Sequence, residues 1–181
     1  AVTVTTAATV TSTGADAIQA SSGGGAVIVT NNAVVSGSEN GILTGNSGTG
    51  TTTVNANFNV TGSTEAGFAG INTVTTGTGL TTVAVASGVT VNGQNGSAVR
   101  TTSNGGAVNV NLAANALAVS TGSGATSWVV DLNNTGAGLS TLNVTAGAVV
   151  RPSDNTATGY DDLAIRGIGG SVVINNAGRI Q

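Results

Sequence analysis

Apolar residues recur along this chain in pairs six positions apart: Val4 and Val10, Val29 and Val35, Val54 and Val60, Val85 and Val91, Val144 and Val150, Ile174 and Ile180, and more loosely Val110 and Ala116. Two residues before each first member stand Val2, Val27, Thr52, Val83, Val108, Leu142 and Val172, the alternation of a strand with one face buried. A third apolar position follows at Ile18, Leu43, Phe68 and Val99, eight residues past the second. In the next two rounds it stands thirteen residues past, at Val129 and Leu163. Over the first three rounds all three positions repeat at 25 residues. Such a register reads as a stack of similar turns, because one turn cannot close its own hydrogen bonds or bury its own apolar face.

The spacing predicts an all-β fold: a parallel β-solenoid, or β-helix, with three short strands per coil and a 25-residue basic repeat. About six to seven coils fit into residues 1–181, read as a single domain. Each strand is expected to pair with its equivalent one coil on, roughly 4.8 Å away. The six-residue step is the distance between inward side chains around a tight corner, with small residues such as Thr30-Asn31-Asn32 and Asn175-Asn176-Ala177 at the bend. A β-sandwich would give turn signals every 8–12 residues without a constant register. A left-handed hexapeptide helix would keep its six-residue step all the way round, and apolar spacings of three and four are not sustained enough for helices.

Composition sharpens this picture. Hydrophobic residues are 39% of the chain, mostly Val and Ala, while aromatics are 2% and charged residues 6%. A core of small side chains with almost no rings suits narrow layers stacked repeatedly. The net charge of −3 gives no basic footprint for nucleic acid, and no apolar run is long enough to span a membrane. There is no Cys and no His, so disulfides and thiolate or imidazole metal sites are absent, and general acid–base chemistry has few candidates. The chain opens on Ala1, and a segment of a longer chain or an assembly subunit is expected.

Candidate chemistry gathers in the two longest turns, "LAVSTGSGATSW" and "RPSDNTATGYDD", each twelve residues where earlier turns have seven. Insertions on a solenoid collect on one face, often the one that binds. These turns hold Trp128, Tyr160, Arg151, Asp154, Asp161 and Asp162, with Arg166 just beyond, and form a candidate contact patch. Aromatics there could stack on a sugar ring or a partner, and carboxylates could accept hydrogen bonds; the alternative is that the rings cover loop edges and the charges maintain solubility. Asp154, Asp161 and Asp162 lack the spacing of a calcium loop, so no metal, cofactor or catalytic residue is assigned. "SGGGA", "GTGT" and "GIGG" read as coil corners, since no helix with a following Lys accompanies them. The outward series Thr5, Thr30, Asn55, Ala86, Asn111, Thr145 and Asn175 is too mixed for a flat ice-binding Thr ladder.

Repeats such as "VVINNAGRI" and "VIVTNNAVV", followed by Gly-rich turns such as "SGSENGI", resemble autotransporter passenger domains and filamentous haemagglutinin-like proteins secreted by Gram-negative bacteria. Together with the general crossover preference, the resemblance implies a right-handed course. It also implies an extracellular, cell-surface location and a structural or adhesive role. The expected partners are the chain's own continuation or further copies stacked end to end into a filament, and a surface glycan or protein receptor. A tailspike-like solenoid that binds or cleaves carbohydrate is the reading from another functional class; an enzyme is not expected.

Overall fold

The computed structural model describes residues 1–62, 67–121, 128–152 and 164–181. Among them are twenty strands and no helix. Coil one carries β1 (Val2–Thr6), β2 (Val10–Thr11) and β3 (Ile18–Ser22); coil two β4 (Val27–Asn31), β5 (Val35–Ser36) and β6 (Ile42–Asn46). Coil three carries β7 (Thr52–Ala56), β8 (Val60–Gly62) and β9 (Ala69–Thr75); coil four β10 (Thr81–Val85), β11 (Thr90–Gly93) and β12 (Ser97–Ser103). Coil five carries β13 (Val108–Leu112), β14 (Leu117–Ser120) and β15 (Val130–Asn134); coil six β16 (Ser140–Val144), β17 (Val149–Pro152) and β18 (Ile165–Gly169). A seventh begins with β19 (Val172–Asn176) and β20 (Arg179–Ile180). Every third strand joins the same parallel sheet, giving sheets of seven, seven and six strands. The chain is a parallel β-solenoid.

The first sheet aligns Val2, Val27, Thr52, Thr81, Val108, Ser140 and Val172, steps of 25, 25, 29, 27, 32 and 32 residues. The 25-residue step therefore belongs to the first coils, and later coils lengthen. The inward column two residues on is Val4, Val29, Val54, Val83, Val110, Leu142 and Ile174. Val83 and Leu142 occupy the places expected for Val85 and Val144, which lie two residues later beside Ala56 and Leu112. In the second sheet Ala118 rather than Ala116 continues the column of Val91 and Val150. The stretch expected as a long turn after residue 116 thus opens with strand β14. Three places in the third sheet also differ: its column is Ile18, Ile42, Ile71, Val99, Val130 and Ile165, not Leu43, Phe68 or Val129. Leu163 lies outside the described residues. At two of the three places adjacent apolar residues cause the slip, because Ile42-Leu43 and Val129-Val130 offer two candidates where alternation allows one.

The inward columns meet in a narrow core in which Val29, Val54, Val60, Val83, Val110 and Leu142 are fully buried. No described aromatic joins it: Phe58 is exposed, and Phe68 and Trp128 are only partly covered. Each buried Val contributes about 1.5–3 kcal/mol.

The register corrections expose two kinds of first corner. Inward residues stand six apart across it in coils one to three and seven, as in Val29 to Val35 or Ile174 to Ile180. They stand eight apart in coils four to six: Val83 to Val91, Val110 to Ala118, Leu142 to Val150. The last inward position of the strand decides which. Where it is Val85, Leu112 or Val144, that inward position carries no polar side chain to bond the corner, and the chain closes a β-turn of its own. Val89, Ala116 and Ala148 donate their N–H groups to the carbonyls of Ala86, Ala113 and Thr145 at 3.2, 3.0 and 3.0 Å. The third residue of each turn takes a positive φ, 73° at Gly88, 60° at Asn115 and 82° at Gly147, which Gly and Asn tolerate best.

Where the last inward position is Asn31, the side chain satisfies the tight corner instead. Its Nδ2 donates to Ala33 O at 3.2 Å and to Phe58 O one coil on at 2.9 Å, while its Oδ1 accepts from Asn57 N at 2.9 Å. One asparagine serves two corners, which is why coil three keeps the tight form with only Ala56 at that position.

The third corner, leading back to the first sheet, is made by Gly25, Gly50, Gly79, Gly106, Gly138 and Gly170 stacked over one another. A Cβ on Gly79, Gly106 or Gly138 would overlap the carbonyl oxygen of the glycine one coil below. The "SGGGA" and "GTGT" segments are these corners. A polar column closes the inside. Ser22 Oγ accepts from Gly25 N at 2.9 Å, and Ser103 Oγ donates to Gly106 O at 2.9 Å. Asn46 Nδ2 bridges Gly25 O at 3.0 Å and Gly50 O at 2.8 Å, and Asn134 Nδ2 bridges Gly106 O at 3.0 Å and Gly138 O at 2.8 Å. A buried carbonyl left unpaired would cost about 1–3 kcal/mol, so these amides hold coil to coil.

Candidate functional site

The outward face of the third sheet places Gln19, Leu43, Asn72, Arg100, Asp131 and Arg166 in one row, one residue per coil. Its last three members form an ion-pair ladder. Arg166 binds Asp131 through both forks, Nε to Oδ1 at 2.9 Å and Nη2 to Oδ2 at 2.6 Å. On the other side Arg100 Nε stands 3.5 Å from Asp131 Oδ2, and Arg100 Nη1 donates to Gly67 O. The Asp131 side chain is only 2% exposed, against 25% for Arg100 and 33% for Arg166. A carboxylate so buried is held by the two charge-assisted donors of Arg166 on one neighbouring coil, with the Arg100 charge beside it on the other. Its hydrogen bond raises the Arg166 pKa above its usual range; burial opposes that rise and the opposite charge adds to it. The Arg166 guanidinium also lies over the Trp128 ring, 5.1 Å from its centroid.

Of the sequence-derived patch, Trp128 is half-buried at the entry to β15, and Arg151 is half-buried in β17, in register with Val119 of β14. Tyr160, Asp154, Asp161 and Asp162 lie outside the described residues. Trp128 meets Arg166, the residue noted just beyond the turns. Arg100 and Asp131 were missed, although each follows directly on an inward residue, Val99 and Val130. The signal was present and was hidden by taking Val129 as the inward residue of coil five.

Arg166 lies over one face of the Trp128 ring, so that face is not free to stack on a sugar. No cluster of three metal-ligating side chains exists among the described residues. On the first sheet, outward Asn143 and Asn175 stack over Asn111, each Nδ2 donating to the Oδ1 below at 2.7 and 2.8 Å. The register there runs through Ala84 and Asn143, not Ala86 and Thr145, and the ladder borders a shallow groove lined by Thr30, Asn55 and Ala84.

Asp131→Asn tests the ladder. The amide leaves two guanidinium groups facing each other without their shared anion, and solvent reaching both arginines moderates the cost. Stability is expected to fall by about 1–3 kcal/mol in urea unfolding. An unchanged midpoint would mean that the arginines do not depend on the carboxylate.

No protein-family model matches the chain, and neither a curated protein nor a solved structure is detectably similar to it.

Proposed function

We propose that the chain is a structural segment of an extracellular, bacterial cell-surface β-solenoid that extends or displays adhesive parts. The observation that supports this reading is where the polar side chains are used. Asn46, Asn134, Asn143 and Asn175 each bond the coil below, and the Arg100–Asp131–Arg166 ladder ties three coils together. Chemistry used in this way stiffens a stack. Its closeness in repeat style to autotransporter passengers and filamentous haemagglutinins supports the cell-surface setting.

Labelling of intact native cells tests it, with an epitope placed at the open position Gly24. Signal is expected without permeabilisation; signal only after permeabilisation would overturn the reading. The carbohydrate reading centres on Trp128 and is tested separately. Glycan arrays and a reducing-end assay on neutral and acidic polysaccharides are expected to stay silent. Selective binding that Trp128→Ala abolishes would replace a scaffold role with recognition.

A further inference from the structure

We infer that Asn104 is a self-modification site: its side chain closes on the peptide nitrogen of Gly105, loses ammonia and leaves an aspartate or isoaspartate in the third corner of coil four. The chemistry favours an Asn-Gly pair, because glycine carries no side chain to hinder attack by its own nitrogen. The chain has four such pairs, Asn40-Gly41, Asn92-Gly93, Asn95-Gly96 and Asn104-Gly105. The fold separates them, wherever the chain works.

Three pairs are held. Asn40 is buried; its Nδ2 donates to Asp16 Oδ1 at 2.8 Å, its Oδ1 accepts from Ala69 N at 2.9 Å, and Gly41 N donates to Ala69 O at 3.2 Å. Asn92 and Gly93 lie inside β11, paired with β8 on one side and β14 on the other, and Asn92 Oδ1 accepts from Thr121 Oγ1 at 3.0 Å. An extended strand held on both sides does not fold a peptide nitrogen back onto the preceding side chain. Asn95 is not free either, and Gly96 is buried.

Asn104 differs. It is exposed and follows the end of β12, in the bend that leads to the stacked glycines. Among the described residues nothing bonds Gly105 N, the attacking atom, or Asn104 Nδ2, the departing one. The reason is the residue before. In coils two and five the last inward asparagine ties down the matching glycine: Asn46 Oδ1 accepts from Gly48 N at 3.1 Å and Asn134 Oδ1 from Gly136 N at 3.2 Å. Coil four has Ser103 in that register, and its hydroxyl is turned to Gly106 O. Ser47, Thr76 and Thr135 stand where Asn104 stands, so coil four alone among coils two to five sets an amide before that glycine.

From coil five, Thr135 Oγ1 donates to Asn104 Oδ1 at 3.1 Å. That bond draws charge from Cγ and steadies the oxyanion formed as Gly105 N adds. The N–Cγ bond forms as the peptide proton passes to solvent. The Cγ–Nδ2 bond then breaks, Nδ2 taking a proton from solvent and leaving as ammonia. Water opens the resulting succinimide at either carbonyl, so one water is gained for each ammonia lost. Opening at the backbone carbonyl puts an extra main-chain carbon below Gly136, which already stacks on Gly105.

Peptide mapping by mass spectrometry during incubation at mildly alkaline pH decides the matter. The peptide holding Asn104 is expected to gain one mass unit about tenfold faster than those holding Asn40, Asn92 or Asn95, whose pairs must first open locally. Enzymatic methylation is expected to detect isoaspartate in the same peptide. In urea all four pairs are expected to react at similar rates, which assigns the selectivity to the fold. Thr135→Val is expected to slow the reaction roughly threefold, a small effect because solvent partly replaces the lost hydroxyl. Asn104→Gln, whose longer side chain closes a ring poorly, is expected to leave its peptide unchanged. A gain that persists in Asn104→Gln overturns the inference, and so does a folded chain in which another pair reacts as fast as Asn104. An unchanged Asn104 in the folded chain, once the chain in urea has reacted fully, overturns it as well.

Discussion

Val60→Asp is expected to cost about 3–5 kcal/mol and to lower the unfolding midpoint more than any surface change. Val60 is fully buried in the second sheet, between Val35 below and Val91 above. It packs in a hydrophobic cluster of Val, Ile, Leu and Ala, so a carboxylate there would exchange water for a largely apolar surrounding. The sheet prevents escape, because side-chain direction alternates and a one-residue slip would turn every neighbour outward. Val34→Asp provides the contrast on the neighbouring coil: Val34 is 41% exposed, and its substitution is expected to stay within about 0.5 kcal/mol. Thermal and urea unfolding of the pair measures the difference. Equal midpoints would refute the inward assignment of the second-sheet column.

Gly79→Ala is the second large effect. A methyl group on Gly79 would overlap Gly50 O, and backbone, unlike a flexible side-chain tip, has nowhere to withdraw. Moving the corner would also break its continuity with Gly106 above. A loss of about 2–4 kcal/mol is expected, in the range of overpacking with backbone displacement. Gly24→Ala, one residue before the same column and with open space where the Cβ would go, is expected to be neutral or slightly stabilising. Circular dichroism melts of the two variants test the column. Similar melting temperatures would show that the glycines serve the turn and not the stack.

These two residue types also explain what the sequence disclosed. Val4, Val54 and Val60 stand alone between polar neighbours, so their alternation is unambiguous, and the first coils were legible as strands, sheets and register. Gly-rich corners were legible for the same reason. Legibility failed where two apolar residues adjoin, as at Ile42-Leu43 and Val129-Val130, since only packing against the coils on either side selects the inward one. It failed again at Val85 and Val144, where a constant six-residue step was carried into coils whose corner is two residues longer. The ion-pair ladder was lost with that register. Arg100, Asp131 and Arg166 are dozens of residues apart in sequence, and only a correct coil length makes them neighbours.

The unequal coil lengths have a mechanical consequence. Inter-strand hydrogen bonds in a solenoid lie along its axis, and the chain leaves the stack only from an end coil, so tension on the termini peels one coil at a time. At roughly 3.4 Å of extended chain per residue, a released coil yields about 85 Å where the step is 25 residues and about 110 Å where it is 32. Across these coils, release in chain order therefore gives short extensions before long ones, and release in the reverse order gives the long ones first. The thread would carry its own direction in the order of its lengths.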